Sequence, residues 1–513
     1  MHQVQGEEVV VDGKSLTVHD VVNVARNKVP VRLNEKNIAK INRSREYVDK
    51  LLAEQKVVYG LTTGFGKFSD TYISSEDSKA LQLNLIRSHA CAVGNPLPEE
   101  TARATMLLRI NALALGYSGI RLKTIRTMMD LLNRNVVPVI PEKGSLGASG
   151  DLAPLAHLAL VLIGEGEAIF QGERMNGSLA LASAGITPIS LEAKEGLALI
   201  NGTQVMTAIG AIACYDAIRL LKWADCTAAL TCEALSAVRD AFDAETHKLR
   251  PHKGQRIVAR NLRKLTKGSG LITKQGELRV QDAYSLRCVP QVHGASRDAL
   301  VYTLEKLQIE MNSATDNPLI FIGRDRVISG GNFHGQPIAL AMDFMAIAMS
   351  ELANITERRI ERLVNPSLNG QLPPFLSKHG GIHSGFMIAQ YTAASLVSEN
   401  KSLSHPASVD SIPSSGNQED HVSMGSIAAR KAQNIVENAY IVIAIELLCA
   451  AQATDFRDAG QLGKGTGRLY AMCRELVPFL EYDRVLAQDI LTVTRLLKEE
   501  GALEELERIV NLQ

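Results

Sequence analysis

The sequence predicts a mainly α-helical protein: a mixed, mostly helical N-terminal domain over residues 1–200, then a bundle of long helices over residues 201–513. Three observations carry this. Hydrophobic residues make up 46% of the chain but aromatic ones only 4%, so the core is built from Ala, Leu, Ile and Val, which suit close helix packing. Beyond Asn201, apolar residues recur at helical spacing from Gln204 to Asp225, Ser296 to Asn312, Gln336 to Val364 and Ser423 to Ala453,. Glycine-rich runs at 60–66, 144–150, 268–276, 330–335 and 380–385 punctuate the helical pattern,.

Taken in order, Val9 to Leu16 reads as a small hairpin with Asp12-Gly13 at its turn,. Helical patterns dominate from Asp20 onward. Leu152, Leu155, Leu158 and Leu162 fall at helical spacing, with Pro154 in the first turn,. Gly172 to Pro188 reads as an irregular excursion off the helical body. Ile338 to Met349 and Ile441 to Ala451 are apolar nearly all round, and such helices must be buried among others,. Residual apolar faces make a homo-oligomer the expectation.

Charge balances, with 55 basic and 55 acidic residues, so no electrostatic footprint favours nucleic acid or an anionic membrane,. The most basic stretch, His247 to Lys267, reads as a solvated helix face and loop. Seven scattered cysteines without a Cys-x-x-Cys pair suggest free thiols in a reducing compartment,. Residues 1–8 carry neither a basic nor an apolar run, so no signal peptide is expected,. Apolar stretches such as Ala439 to Ala453 are interrupted by Glu446 and Gln452, and no membrane span is expected,. The expected location is cytoplasmic.

The run Gly144-Ser145-Leu146-Gly147-Ala148-Ser149-Gly150-Asp151 is the most informative segment. Ala148, Ser149 and Gly150 are small enough for the Gly150 nitrogen to reach the Ala148 carbonyl carbon and close a five-membered ring. Loss of two waters, one from closure and one from the Ser149 side chain, leaves an exocyclic methylene conjugated to a carbonyl. The product is an electrophile, which ordinary side chains do not supply. At the positive end of the following helix, unpaired amides would favour negative charge developing on that ring.

Gly144 to Leu158 resembles the signature of the aromatic amino acid ammonia-lyases, whose electrophile is a methylidene-imidazolone made from Ala-Ser-Gly. Similar matches occur, in family order, at Tyr59 to Gly66, Asn201-Gly202-Thr203, Gln281 to Arg287, Gly331 to His334 and Asn417 to His421. Ala283 and Val289 stand where some members have Pro and Gln. Within the family, Ser88-His89-Ala90 and Asn417 to Gly425 resemble the histidine-specific branch. The resemblance implies a fumarase/aspartase-like architecture and a homotetramer whose active sites are shared between subunits. It implies elimination of ammonia from L-histidine to give trans-urocanate. The electrophile would be self-made from Ala148, Ser149 and Gly150, with no external cofactor and no metal.

The same resemblance implies roles for individual residues. Tyr59 becomes the base for the β-proton, which requires its phenol to be acidified by its neighbours. Tyr284 and Asn201 support the ring and the carboxylate end, Phe333 packs on substrate or ring, and Met387 walls the pocket. Arg287 carries a planar fork that matches a carboxylate. Tyr284 and Gln281 precede it at successive spacings of three, a polar row if the segment is helical. His89 and Glu419 can both hydrogen-bond an imidazole, and Glu419 can equally accept protons from the substrate amine.

Weaker signals point elsewhere. Gly60 to Lys67 fails as a phosphate loop, because five residues separate its glycines and Phe68 follows the lysine,. His379 and His383 have a metal-like spacing, but Gly380-Gly381 opposes a helix and no third ligand is evident,. Cys288 reads as a small hydrophobe. The competing functions are a tyrosine ammonia-lyase or aminomutase, a fumarase-like lyase using a serine loop at Pro413 to Gly416, and a helical scaffold without activity.

Overall fold

The computed structural model describes residues 8–68, 70–74 and 77–513. Contacts group the chain into two units, each assembled from three segments. The first holds residues 1–215, 304–343 and 406–430, and the second 216–303, 344–405 and 431–513. A single cut at residue 200 does not reproduce this grouping, because the long helices carry the chain in and out of each unit. Four of the five boundaries, 215/216, 303/304, 343/344 and 430/431, fall inside the helices Gln204–Ala234, Val289–Met311, Gln336–Val364 and Gly425–Asp455, and the fifth, 405/406, follows the helix Met387–Leu403.

The first unit opens with a correction. Val9–Val11 does not turn back into a hairpin but pairs in parallel with Val31–Leu33, Val9 opposite Val31. The Asp12 carboxylate accepts the Lys14 and Ser15 amides, and Gly13, at φ +84°, donates its amide to Asn111 Oδ1. Thr17 then starts a helix at Val18 with a capping box to Asp20,. A strong helix start so close to the turn leaves no residues for a returning strand.

The Glu99–Ala114 helix is buried from Thr101 through Ala114 and forms the centre of this unit. Its Arg109 donates to the Ala198 and Thr315 carbonyls and to Gln204 Oε1, while burial pulls its pKa down to about 10,. The expected irregular excursion is partly regular: Glu167–Phe170 and Glu173–Asn176 form an antiparallel hairpin, followed by the Gly177–Ser183 helix. Helix Leu152–Leu162 forms as the leucine spacing requires.

In the second unit, charge is buried in pairs. Glu446 accepts from Arg359 and from the Thr227 and Thr231 hydroxyls, and both ionic partners are fully buried. His293 donates through Nδ1 to Asp225 at 2.9 Å and accepts at Nε2 from Arg359 at 3.3 Å. In the stretch Ile441 to Ala451, every residue from Val442 on is at most 1% exposed, Glu446 included, and Ile441 is half-buried. The corresponding expectation fails for Ile338 to Met349, where Leu340, Phe344 and Ile347 are 46%, 44% and 47% exposed. Their spacing leaves one apolar stripe of that helix uncovered.

Three helices, Gln204–Ala234, Gln336–Val364 and Gly425–Asp455, are long and apolar enough to cross a membrane, contrary to expectation. Their apolar windows are 83%, 67% and 78% buried inside the protein, so the composition is accounted for by packing,. Cys226, Cys232, Cys449 and Cys473 are buried thiols, the last pushed up to about 12 by desolvation.

Candidate active site

A cavity of about 1110 Å³ in the first unit collects residues from five separate stretches of chain. Tyr59, His89, Ser149, Asn201, Phe333 and Glu419, all singled out from sequence, line it. Ala148 and Gly150 flank Ser149 and are buried.

The loop bearing Ser149 is held from behind by backbone. Gly150 sits at φ +75°, and a Cβ added there would lie 2.2 Å from the Gly202 carbonyl oxygen. Asp151 N donates to that same oxygen at 2.7 Å. The fully buried Asp151 carboxylate accepts the Val205 and Met206 amides at 3.0 and 2.9 Å and the Ser145 and Ser426 hydroxyls. It thus caps the amino end of Gln204–Ala234, where the helix dipole favours an anion, although burial alone raises its pKa. On the other side, Ser423 Oγ donates to the Gly147 carbonyl and Met424 N to that of Leu146. Apart from Ser145, each anchor comes from a distant segment.

Ser149 itself faces two partners. Its hydroxyl donates to Glu419 Oε1 at 3.1 Å, and Asn201 Nδ2 donates to its carbonyl oxygen at 3.2 Å. Glu419 is steadied at its other oxygen by the Ser414 hydroxyl, also at 3.1 Å. The turn that delivers Ser414 runs through positive φ at Ser415, Gly416 and Asn417. Asn201 Oδ1 is buried and has no protein partner among the described residues, so it remains available as an acceptor,.

His89 closes the Ser78–His89 helix. Its Nδ1 lies 3.1 Å from Ser88 Oγ, and that hydroxyl lies 3.1 Å from the Leu85 carbonyl. A carbonyl only accepts, so the network assigns the serine proton to Leu85 and the imidazole proton to Nδ1. Nε2 is left as an acceptor. Burial lowers the His89 pKa, with the Leu85 carbonyl and the charge of Glu419 opposing it.

Tyr59 Oη accepts the Gly66 amide at 3.2 Å, and its ring meets Phe65 edge to face. That amide is the hydrogen-bond donor seen at the phenol. Gly60, at φ +66°, packs under Leu197, and a Cβ added there would lie 2.6 Å from the leucine Cδ2.

Gln281, Tyr284, Arg287 and Met387 belong to the second unit and do not line this cavity. Only four residues, Tyr284–Arg287, are helical there, so Gln281 falls outside the expected polar row. The Arg287 guanidinium lies 4.6 Å from the Tyr284 ring centroid, and Tyr284 is 70% exposed. Arg287 Nε is buried without a protein partner among the described residues. Met387 begins the Met387–Leu403 helix. His379 and His383 both pack against Tyr482, and His379 contacts Glu481 at 3.3 Å.

Sequence reasoning gave Ser88, Ser414, Lys67 and Gln418 no individual role, although each lies in a segment singled out above, and it missed Asn84; all of these but Ser414 line the cavity. Short polar residues beside a candidate acid or imidazole were the available signal, but nothing local indicates which way they point.

Residues 16–475 match the family model described as aromatic amino acid lyase. The chain is 62% identical over 508 residues to histidine ammonia-lyase of Caldanaerobacter subterraneus subsp. tengcongensis, covering 97% of this chain and 100% of that one. Among solved structures, histidine ammonia-lyase from Trypanosoma cruzi matches at TM-score 0.92 and 44% identity, covering 98% of this chain and 96% of its own. Tyrosine aminomutase from Streptomyces globisporus matches at TM-score 0.95 and 41% identity, covering 99% and 100%. With a matching family model over most of its length and relatives of this identity, the chain belongs to the aromatic amino acid lyase family.

Proposed function

We propose that this protein removes ammonia from L-histidine without oxidation, giving trans-urocanate. The observation that carries the reading is the meeting in one cavity of the Ser149 hydroxyl, the Glu419 carboxylate 3.1 Å from it, and an imidazole at His89 held as an acceptor. Near-identical fold scores to a histidine lyase and a tyrosine aminomutase do not choose between substrates. The 62% identity over the whole chain favours histidine.

The residues present fit a ring made from Ala148, Ser149 and Gly150. Gly150 occupies a backbone cradle that a Cβ would fill, and Ser149 projects into the cavity. When formed, that methylidene-imidazolone supplies the electrophilic carbon that takes up the substrate amine.

The remaining work falls to side chains. Phe65, Leu85, Leu152, Ile200 and Phe333 give the cavity apolar walls, which exclude water and strengthen every charge interaction inside. His89 Nε2 accepts the N–H of the neutral substrate imidazole. Glu419 Oε1 receives a proton from the substrate ammonium, and Asn201 Oδ1 accepts another of its N–H groups. Tyr59 Oη takes the β-proton, assisted by the Gly66 amide that already donates to it,.

Arg287, with Tyr284, Gln281 and Met387, completes the site from neighbouring copies in a homotetramer. Arg287 forks onto the substrate carboxylate. The exposed Tyr284, the unpartnered Arg287 nitrogen and the uncovered stripe of Leu340, Phe344 and Ile347 support this arrangement. The buried thiols are in keeping with a cytoplasmic location,.

Mixing the purified protein with L-histidine and following urocanate absorbance tests the reading, with Ser149→Ala as control. A rise with the parent protein and none with the variant is expected. Turnover of L-tyrosine in place of L-histidine would overturn the substrate.

A further inference from the structure

We propose that Glu419 has a second task, carried out once on the chain itself: it moves the proton in the dehydration of Ser149 that gives the ring its exocyclic methylene. This rests on the reading that residues 148–150 form the ring. Three contacts assign the role. Glu419 Oε1 already receives the Ser149 hydroxyl at 3.1 Å, so the group that must depart as water touches the carboxylate. Asn201 Nδ2 lies 3.2 Å from the Ser149 carbonyl oxygen. When the proton on Ser149 Cα departs, negative charge moves onto that oxygen and meets a donor already in place. Ser414, donating to Oε2 at 3.1 Å, keeps Oε1 directed at Ser149.

The step balances without an added reagent. The Glu419 carboxylate takes the Cα proton, and the electron pair of the Cα–H bond becomes the Cα=Cβ double bond. The Cβ–Oγ bond breaks, and the departing oxygen takes the proton back from Glu419 and leaves as water. The carboxylate is regenerated and free for catalysis. Asp151, the other acid beside this loop, is committed to the Val205 and Met206 amides and the Ser145 and Ser426 hydroxyls. Among the described residues its carboxylate makes no hydrogen bond to the Ser149 hydroxyl, whereas Glu419 does.

Intact mass of the full chain, expressed as parent, Glu419→Gln, Glu419→Asp and Ser414→Ala and sampled over time, reads this directly. The parent should become two waters lighter than the translated chain. Glu419→Gln keeps a hydrogen-bond acceptor but cannot carry the proton, and should stop at one water lost or lose the second at least about 100-fold more slowly, the range general acid–base catalysis contributes. Glu419→Asp should recover part of the second loss. Complete loss of two waters by a folded Glu419→Gln chain on the parent's time course would overturn the proposal. If circular dichroism shows that Glu419→Gln does not fold, Ser414→Ala decides: slowed loss of the second water supports the role, and unchanged loss overturns it. A parent chain that loses no water refutes ring formation itself, a result distinct from either.

Discussion

Replacing Gly150 with alanine asks how much the tight backing of the Ser149 loop matters. An L-residue at φ +75° costs about 1–2 kcal/mol by left-handed strain alone,. The added Cβ would also lie 2.2 Å from the Gly202 oxygen and 2.4 Å from its carbon. Relief requires a backbone movement of roughly 1 Å, the scale of displacement that costs about 100-fold in rate when it misplaces reacting groups. Gly202 is itself tightly surrounded, since a Cβ there would meet Arg109 Nη1 at 2.4 Å and the Thr315 carbonyl at 2.6 Å. The movement would also stretch the Asp151 N to Gly202 O bond of 2.7 Å. Gly172→Ala is the control, since Gly172 has φ +84° with nothing within 4 Å. It carries the strain without the collision. Intact mass and urocanate formation should show Gly150→Ala unprocessed and at least about 100-fold less active, with Gly172→Ala processed and active but less stable by about 1–2 kcal/mol. A folded Gly150→Ala protein that is two waters lighter and fully active would refute the reasoning.

Other consequences are equally direct. Arg359→Met leaves Glu446 buried without its counter-charge and should destabilise by about 3–5 kcal/mol, whereas Arg359→Met with Glu446→Leu should regain most of it,; inactivation half-lives at fixed temperature compare the three. Burial lowers the pKa of His293, His157 and His247 below 6.5, so the unfolded chain binds more protons between the folded and unfolded values. Stability from these groups is complete above about pH 6.5 and is lost as pH falls through their lowered pKa values. A denaturation midpoint that rises on acidification below pH 6.5 would contradict this. Mixing inactive Tyr59→Phe and Arg287→Ala chains and refolding them together should restore part of the activity if one site draws on different copies, and equal inactivity of the mixture would argue for sites within one chain.

Local chemistry is what made much of this protein readable before any coordinates. The Gln336–Val364 and Gly425–Asp455 helices follow apolar spacing within about two residues at each end, and the Gln204 helix starts where expected but runs past Asp225 to Ala234, because helix hydrogen bonds connect near neighbours,. The three small residues at 148–150 announce a cyclisable backbone for the same reason. Other features depend on partners far along the chain. Val9–Val11 pairs in parallel with Val31–Leu33, a strand beyond an intervening helix, and not with the residues just past its Asp-Gly turn. Glu419 reaches Ser149 across 270 residues, and Asp151 caps a helix that starts 53 positions later by bonding Val205 and Met206. Burial of Leu340, Phe344 and Ile347 was expected from their apolarity, yet only packing decides which stripe of a helix is covered. Residue type sets what each side chain can do; long-range packing sets which partner it does it with, because the free energy of such contacts depends on distances that no local spacing encodes.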